Sequence, residues 1–297
     1  MASPPVQPWV DLPHDLLAAI MSRLGTPDLL SGGATRTCSA WRAAARNPLV
    51  WRRVDLRDWP ALTSVGLAAG AGAAGGRIPV QVALCRVLEI AATRADGRME
   101  SLLLPEFADE EHLLFLAERC PNLHYFSLPA TCMTDNQFCK AISKFQSLKG
   151  MAVDESLINH DVLVHVHQCC PMFLELKVFA LYVDEEMASI ICNSLPHLRK
   201  LEIPNSDMSC AAIITFLDCL EELEYLDISG YETSSISSTV LRKASRLKIF
   251  IWSSKFELGE FMDCSNCGEH SINPQQPCKC AMEHRVMDWL AGPSQSS

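Results

Sequence analysis

One hydrophobic pattern recurs through the middle of the chain with a nearly constant period. Each instance is an apolar residue, two residues of any type, a second apolar residue, one more residue and a third apolar residue. The instances are Met99/Leu102/Leu104, Leu123/Phe126/Leu128, Leu148/Met151/Val153, Phe173/Leu176/Val178, Leu198/Leu201/Ile203, Leu223/Leu226/Ile228 and Leu247/Phe250/Trp252. Successive instances begin 24 or 25 positions apart, as from Met99 to Leu123 and from Leu123 to Leu148. This period predicts stacked units that share one continuous core.

The second half of each period predicts a helix that returns the chain to the next strand. Capping-type residues precede the helical patterns at Thr134, Asn159, Asp184 and Ser209. Prolines 121, 171 and 196 stop the helices two residues before the next instance. The array resembles leucine-rich repeats, and Cys120, Cys132 and Cys170 resemble the cysteine-containing subfamily. The resemblance implies an α/β solenoid with parallel strands on the concave face and helices on the convex face.

A different pattern, with helical spacing, precedes the repeats. Leu12, Leu16, Leu17, Ile20 and Leu24 predict one apolar helix face. Asp11 before a proline predicts the helix start, and a glycine at 25 predicts its end. Two further short helices are predicted, one broken by glycines at 32 and 33 and one before a proline at 48. A bundle this small buries little core, so we expect a partner on the first helix.

The N-terminal segment resembles an F-box in the order and spacing of its residues. The matching residues are Leu12-Pro13, Leu16-Leu17, Ile20, Leu24, Asp28-Leu29-Leu30, Cys38, Trp41-Arg42, Pro48-Leu49 and Trp51. The segment departs from the family at Gly32-Gly33-Ala34. The resemblance implies docking on the Skp adaptor of cullin-based ubiquitin ligases. The adaptor contacts it implies are Leu12, Pro13, Leu16, Leu17, Ile20, Leu24 and Trp41. The alternative is a plain helical cap on the repeats.

Together the two motifs resemble plant-type F-box/leucine-rich-repeat proteins. We predict a disordered N-terminus at 1–8, the F-box at 9–51 and the repeats at 99–256. Between them, residues 52–98 form a connecting strand, an Ala/Gly-rich loop and a helix as a first irregular repeat. Residues 257–297 form a Cys-rich tail with a short helix.

Residues between the template positions of each strand point away from the core, onto the concave face. Aromatic and charged residues there are candidates for binding a client protein. The candidates are Tyr125, Lys177, Phe179, Lys200, Tyr225 and Asp227. The alternative is that the tail or a loop covers part of this face.

Composition excludes several function classes. The net charge of −10, from 25 basic and 35 acidic side chains, disfavours nucleic acid. The sequence shows neither a signal peptide nor an apolar stretch suited to a membrane, so we expect the cytoplasm or the nucleus. The 14 cysteines are then expected as thiols or metal ligands.

Four cysteines lie close together near the C-terminus, at Cys264, Cys267, Cys278 and Cys280. A first pair at CxxC spacing suits half of a structural zinc site, but the second pair has CxC spacing. Reduced thiols in a loop are the simpler interpretation, so no cofactor is predicted and structural zinc is the alternative.

The function that these motifs favour is the substrate-recognition subunit of a Skp–cullin–F-box ubiquitin ligase. The F-box would bind the adaptor, and through it a cullin, while the repeats would bind the client. An enzyme is disfavoured because no nucleophile elbow, phosphate loop or HExxH motif is present. The alternatives are a hormone-type small-molecule receptor coupled to the same ligase and a scaffold outside any ligase. A small anionic ligand would find only Lys177 and Lys200 on the predicted face.

Overall fold

The computed structural model describes residues 12–31, 33–59, 80–130, 133–230 and 236–252. The chain divides into two units, which are considered separately. Unit 1 comprises residues 1–149 and 169–172, and unit 2 comprises residues 150–168 and 173–297. Among the described residues, no helix has the length and apolar character needed to cross a membrane.

Unit 1 begins with short helices and continues with strand–helix repeats. Its helices and strands are α1 (His14–Met21), α2 (Thr26–Ser31), α3 (Ser39–Ala44), β1 (Arg53–Asp55), α4 (Val80–Ala95), β2 (Ser101–Leu103), α5 (Glu110–Arg119), β3 (Tyr125–Leu128) and α6 (Asp135–Ile142). Two 3-10 turns, Ala34–Arg36 and Pro48–Trp51, flank α3. Strands β1, β2 and β3 pair in parallel, with Val54 opposite Leu102 and Leu102 opposite Phe126.

Unit 2 repeats one strand and one helix along its length. Its elements are β4 (Gly150–Asp154), α7 (His160–Cys169), β5 (Glu175–Phe179), β6 (Tyr182–Val183), α8 (Glu185–Ser194), β7 (Lys200–Glu202), β8 (Asp207–Met208), α9 (Cys210–Cys219), β9 (Tyr225–Asp227), α10 (Ser238–Ala244) and β10 (Ile249–Ile251). The last residue of α7, Cys169, belongs to unit 1. Strands β4, β5, β7, β9 and β10 form parallel pairs in that order.

The repeated hydrophobic positions form the core, as the sequence predicts. All the template residues from Met99 to Trp252 are buried, with no more than 7% of each exposed. The middle template residues lie opposite one another on neighbouring strands, as Leu201 does with Leu176 and with Leu226. This register lets each unit cover the apolar face of the next. The predicted α/β leucine-rich-repeat class is confirmed.

Four helices of the repeats begin at the predicted capping residues, whereas α5 and α10 are capped by Asp109 and Ser237, which were not predicted. The Thr134 hydroxyl accepts a hydrogen bond from the amide of Gln137, and the Thr134 amide donates one to the side-chain oxygen of Gln137. The side chains of Asn159, Asp184 and Ser209 each accept an amide hydrogen bond from the first turn of their helices. These bonds satisfy donors that a helix start otherwise leaves unpaired.

The first helix is shorter than the hydrophobic pattern predicts. Helix α1 covers His14–Met21, and Pro13 occupies its N-cap position without a side-chain cap. The predicted cap at Asp11 lies outside the described residues. The sequence predicts that glycines at 32 and 33 break the second helix, and α2 ends at Ser31, directly before them.

Several predicted segments lie outside the described residues. They are the N-terminus at 1–8, the whole Ala/Gly-rich loop at 60–77 and the tail at 257–297. Cys132 also lies outside the described residues.

Unit 2 contains a second, two-stranded parallel sheet that the sequence pattern does not predict. Strand β6 pairs with β8, with Tyr182 opposite Asp207 and Val183 opposite Met208. Both strands lie between a main strand and the helix that follows it. This small sheet orders the residues just beyond the carboxyl end of β5.

Candidate functional site

Helix α1 in unit 1 has two distinct apolar faces. The inner face carries Leu17, Ala18 and Met21, which are 1%, 7% and 0% exposed. This face packs against α3 and the Pro48–Trp51 turn. The Trp51 indole is fully buried and donates a hydrogen bond of 2.8 Å to the carbonyl of Ala45. The inner face therefore belongs to the core of unit 1.

The outer face of α1 forms an apolar groove. Leu12, Leu16, Ala19, Ile20 and Arg23 line it. Leu16 is 53% exposed and lies at the centre of this groove. These positions recur at helical spacing, so one continuous stripe faces away from the core.

The seven residues implied as adaptor contacts lie in different environments in the structure. Three of them, Leu12, Leu16 and Ile20, line the groove. Pro13 is exposed at the helix start, whereas Leu24 and Trp41 are half-buried. Leu17 lies in the core, so its side chain does not reach the groove surface. Ala19 and Arg23 fit the helical spacing of Leu16 and Ile20, so the sequence could have added them to the predicted adaptor contacts.

A second, more polar cleft lies beside α1. Asp15, Ala18, Ala19 and Ser22 of α1 line it together with Asn47, Leu49, Val50, Arg52, Arg53 and Glu100. The Arg52 guanidinium pairs with the Glu100 carboxylate. This hydrogen bond lowers the pKa of Glu100. The cleft is therefore lined by an ion pair, whose two charges compensate each other, and by the exposed Leu49.

Hydrogen bonds attach the N-terminal helices to the first strand of unit 1. The buried Thr26 hydroxyl accepts a bond of 3.0 Å from the Asp55 amide in β1. The Arg94 guanidinium of α4 lies 4.9 Å from the centre of the Trp51 ring. These contacts hold the helices against the neighbouring repeat within this unit.

Five of the six predicted client-binding residues lie on one sheet of unit 2. Lys177 and Phe179 belong to β5, Lys200 to β7, and Tyr225 and Asp227 to β9. All five are half-buried. The sixth, Tyr125, is a half-buried residue of β3 in unit 1.

The lysines on this sheet face are compensated by glutamates. The ammonium of Lys200 lies 3.2 Å from a Glu202 carboxylate oxygen and 3.8 Å from one of Glu175. The ammonium of Lys177 lies 3.9 Å from the Glu202 carboxylate. A pair of compensated lysines offers little excess positive charge to an anionic small molecule.

The same lysines stack over aromatic rings. Lys177 lies 5.7 Å from the ring centre of Phe179, and Lys200 lies 5.1 Å from that of Tyr225. Burial raises the pKa of Tyr225, and the neighbouring carboxylates of Asp227 and Glu202 raise it further. Tyr225 is therefore a neutral hydrogen-bond donor at physiological pH. The face combines aromatic surface with fixed charges, as protein-binding surfaces do.

Sequence reasoning missed two exposed apolar residues beside this face. Leu181 is 79% exposed and Tyr182 is 53% exposed. They follow β5 after Ala180 and lie outside the repeated template, which is why no hydrophobic pattern identified them. The sequence shows only a leucine followed by a tyrosine at these positions, and their exposure is seen in the structure alone.

The predicted zinc ligands Cys264, Cys267, Cys278 and Cys280 lie outside the described residues. Within the part of the chain that the structure describes, no group of three or more candidate ligands is placed to hold a metal ion. Cys120 and Cys170 are buried, where a reduced cysteine packs as a small hydrophobic residue. Burial raises the pKa of the Cys120 thiol to about 11 and that of Cys170 to about 12.

The family described as F-box-like matches residues 9–57. An F-box/LRR-repeat protein of Arabidopsis thaliana is 27% identical over 270 residues, covering 82% of this chain and 83% of that protein. The putative F-box/LRR-repeat protein 23 of the same plant is 24% identical, covering 74% of this chain and 47% of that protein.

Among solved structures, the complex of Rad7 and Elc1 in yeast contains a chain of similar fold. The TM-score is 0.41 at 14% identity, and the similarity covers 77% of this chain and 64% of that chain. A TM-score of this size is too low to support a functional comparison.

Proposed function

Because this chain is a plant-type F-box/leucine-rich-repeat protein, we propose that it is the substrate-recognition subunit of a Skp–cullin–F-box ubiquitin ligase. In this role the N-terminal helices bind a Skp-type adaptor, and through it a cullin. The repeats bind the client protein. Ubiquitin transfer is carried out by other subunits, so this chain contributes the positioning of the client.

The observation that carries the proposal is the outer face of α1. It presents the apolar groove of Leu12, Leu16 and Ile20 within the segment that matches the F-box-like family. Removing such a stripe from water is favourable by about 25 cal/mol for each Å² of apolar surface, and only the part that exceeds the entropic cost of association contributes to affinity. The adaptor contacts that we propose are therefore centred on these three residues, with Pro13 beside them and Leu17 supporting them from the core.

The sheet face of unit 2 supports a protein client over a hormone-like small molecule. Lys177 and Lys200 are engaged by Glu202 and Glu175, so they do not converge on an anionic ligand. The proposal requires no cofactor and no catalytic residue in this chain. Its acidic net charge of −10 also suits a protein partner better than a nucleic acid. A ligase of this class would place the chain in the cytoplasm or the nucleus.

The test is capture of a purified Skp adaptor by the full chain. We expect Leu16→Glu to weaken capture about tenfold or more, because a charge would be buried at the centre of the groove. Val82→Glu is the matched control, since Val82 is a 43% exposed apolar residue on α4 of the same unit. Equal capture by wild type, Leu16→Glu and Val82→Glu would exclude the groove as the adaptor site.

A further inference from the structure

Two neighbouring apolar side chains in unit 2 are held out into solvent. Leu181 and Tyr182 are 79% and 53% exposed, and only Ala180 separates them from the carboxyl end of β5. Scattered exposed apolar residues are ordinary, but two adjacent ones beside a candidate binding face are a candidate anchor for a partner. We call these two residues the apolar pair.

The backbone that carries the apolar pair is fixed by several hydrogen bonds. The Leu181 amide donates to a Glu155 carboxylate oxygen at 3.1 Å, and its carbonyl accepts from the Asp207 amide at 2.9 Å. The buried Ser206 hydroxyl donates to the carbonyl of Ala180 at 2.5 Å. Tyr182 pairs with Asp207 in the sheet of β6 and β8. A pre-ordered anchor loses little conformational entropy when a partner binds.

Carboxylates surround the apolar pair. Glu155 contacts the Leu181 amide, and Asp207 lies opposite Tyr182. Asp184, Glu185 and Glu186 follow directly in the chain and are exposed. None of these five acidic residues takes part in an ion pair with a described residue. The lysines of the adjoining sheet face are engaged by other glutamates.

We infer that the apolar pair and these carboxylates dock an extended client segment in which an apolar side chain is flanked by lysine or arginine. The apolar pair supplies the contact that excludes water, and the carboxylates select against acidic segments. The inference rests on the proposed function, because it specifies the chemical class of the client.

The test uses the full chain in complex with its Skp adaptor and short fluorescent peptides of glycine and serine. One peptide carries a Leu-Phe pair flanked by lysines, and a second carries the same pair flanked by glutamates. A third keeps the lysines but has glycines in place of Leu-Phe. We expect the first peptide to bind at least about tenfold more tightly than either of the others, measured by fluorescence anisotropy. Its binding should weaken as the salt concentration rises.

Two double variants assign the binding to this surface. Leu181→Ser with Tyr182→Ser should lower the affinity for the first peptide about tenfold. Glu155→Gln with Asp207→Asn should lower the affinity for the first peptide and reduce the dependence of that affinity on salt. The backbone should stay in place, because the glutamine oxygen at position 155 can still accept a hydrogen bond from the Leu181 amide. The matched controls are Met172→Ser, which removes an apolar side chain that is 54% exposed, and Glu221→Gln, which removes an exposed carboxylate elsewhere. Both controls should bind the peptide as the wild type does.

The inference is overturned if the glutamate-flanked peptide binds as tightly as the lysine-flanked one, or if no peptide binds. It is also overturned if the double variants bind as the controls do. Conversion of the wild type, but not of the Leu181/Tyr182 variant, from a dimer to a monomer on dilution would identify a second copy as the occupant instead. Retained adaptor capture in any of these cases would leave the proposed function standing, whereas lost capture by the wild type would remove it.

Discussion

Gly230 occupies a position in unit 2 where the neighbouring backbone leaves no room for a side chain. Its φ is +132°, a conformation that residues with a side chain rarely adopt. A Cβ placed there would lie 2.3 Å from the backbone nitrogen and Cα of Asn205. Asn205 itself has a φ of 59°, and its amide donates to the carbonyl of Ser229. The turn after β9 therefore requires a glycine next to the residues that lead into β8.

We predict that Gly230→Ala destabilises the protein by about 1–3 kcal/mol, because backbone atoms would have to move to accommodate the methyl group. Gly97→Ala is the matched comparison. Gly97 also has a positive φ, of 70°, but nothing lies within 4 Å of its hypothetical Cβ. Chemical denaturation should show a larger loss in the free energy of unfolding for Gly230→Ala than for Gly97→Ala. Equal losses would mean that the positive φ, and not the lack of space, determines the cost at both sites.

At the scale of elements, the register of the strands in unit 2 places the candidate client-binding residues side by side. Glu175 lies opposite Lys200, which lies opposite Tyr225, and Lys177 lies opposite Glu202. Opposite charges across neighbouring strands stabilise a sheet by roughly 0.2–1 kcal/mol for each pair. The face is thus an ordered arrangement of charges and rings before any partner binds.

We predict that Phe179→Asp with Tyr225→Asp abolishes client capture and leaves adaptor capture intact. The substitutions remove the aromatic surface and add negative charge to a face that is already balanced. The readout is the set of proteins that co-purify with the chain, quantified relative to the adaptor. Val82→Asp on α4 should leave this set unchanged, and an unchanged set in the double variant would place the client elsewhere.

At the scale of the whole molecule, carboxylates in both units connect stability to pH. The hydrogen bond from Arg52 lowers the pKa of Glu100, and those from His197 and Lys248 lower the pKa of Glu222 and Glu224. A carboxylate whose pKa is lower in the folded state stabilises the fold above its unfolded value. This contribution disappears as the pH falls through the folded value.

We therefore predict that thermal stability is constant near neutral pH and declines once the pH falls below the ordinary glutamate value of 4.5. Glu100→Gln should make the decline shallower, because one titrating group is removed. Glu118→Gln is a control on another surface ion pair of unit 1. An identical decline in Glu100→Gln and wild type would mean that other groups determine acid stability.

The repeated units could be predicted from the sequence because their apolar residues recur at fixed positions and are buried, as Leu201 and Leu226 are. Helix starts at Asp184 and Ser209 followed from local capping chemistry. The small sheet of β6 and β8 could not be predicted, because strands of two residues have no detectable periodicity. Leu181 was missed because it lies outside the repeated template.

The division of the candidate adaptor residues also required the three-dimensional structure. Hydrophobic spacing identified α1 but could not decide which side of so short a helix faces the core. Leu16 and Leu17 both fit an apolar stripe at helical spacing, and only the packing of α3 and Trp51 distinguishes them.

Helix α1 has eight residues; its inner face packs in the core of unit 1, and its outer face is the adaptor site that we propose. Leu16 and Leu17 are adjacent, but substitutions at the two positions have different consequences. A damaging change at Leu17 would reduce how much of the protein accumulates, because misfolded chains are degraded. Under the proposed function, a damaging change at Leu16 would leave folded protein that does not bind the adaptor and therefore holds clients without delivering them. The two kinds of allele would then differ in dominance as well as in severity.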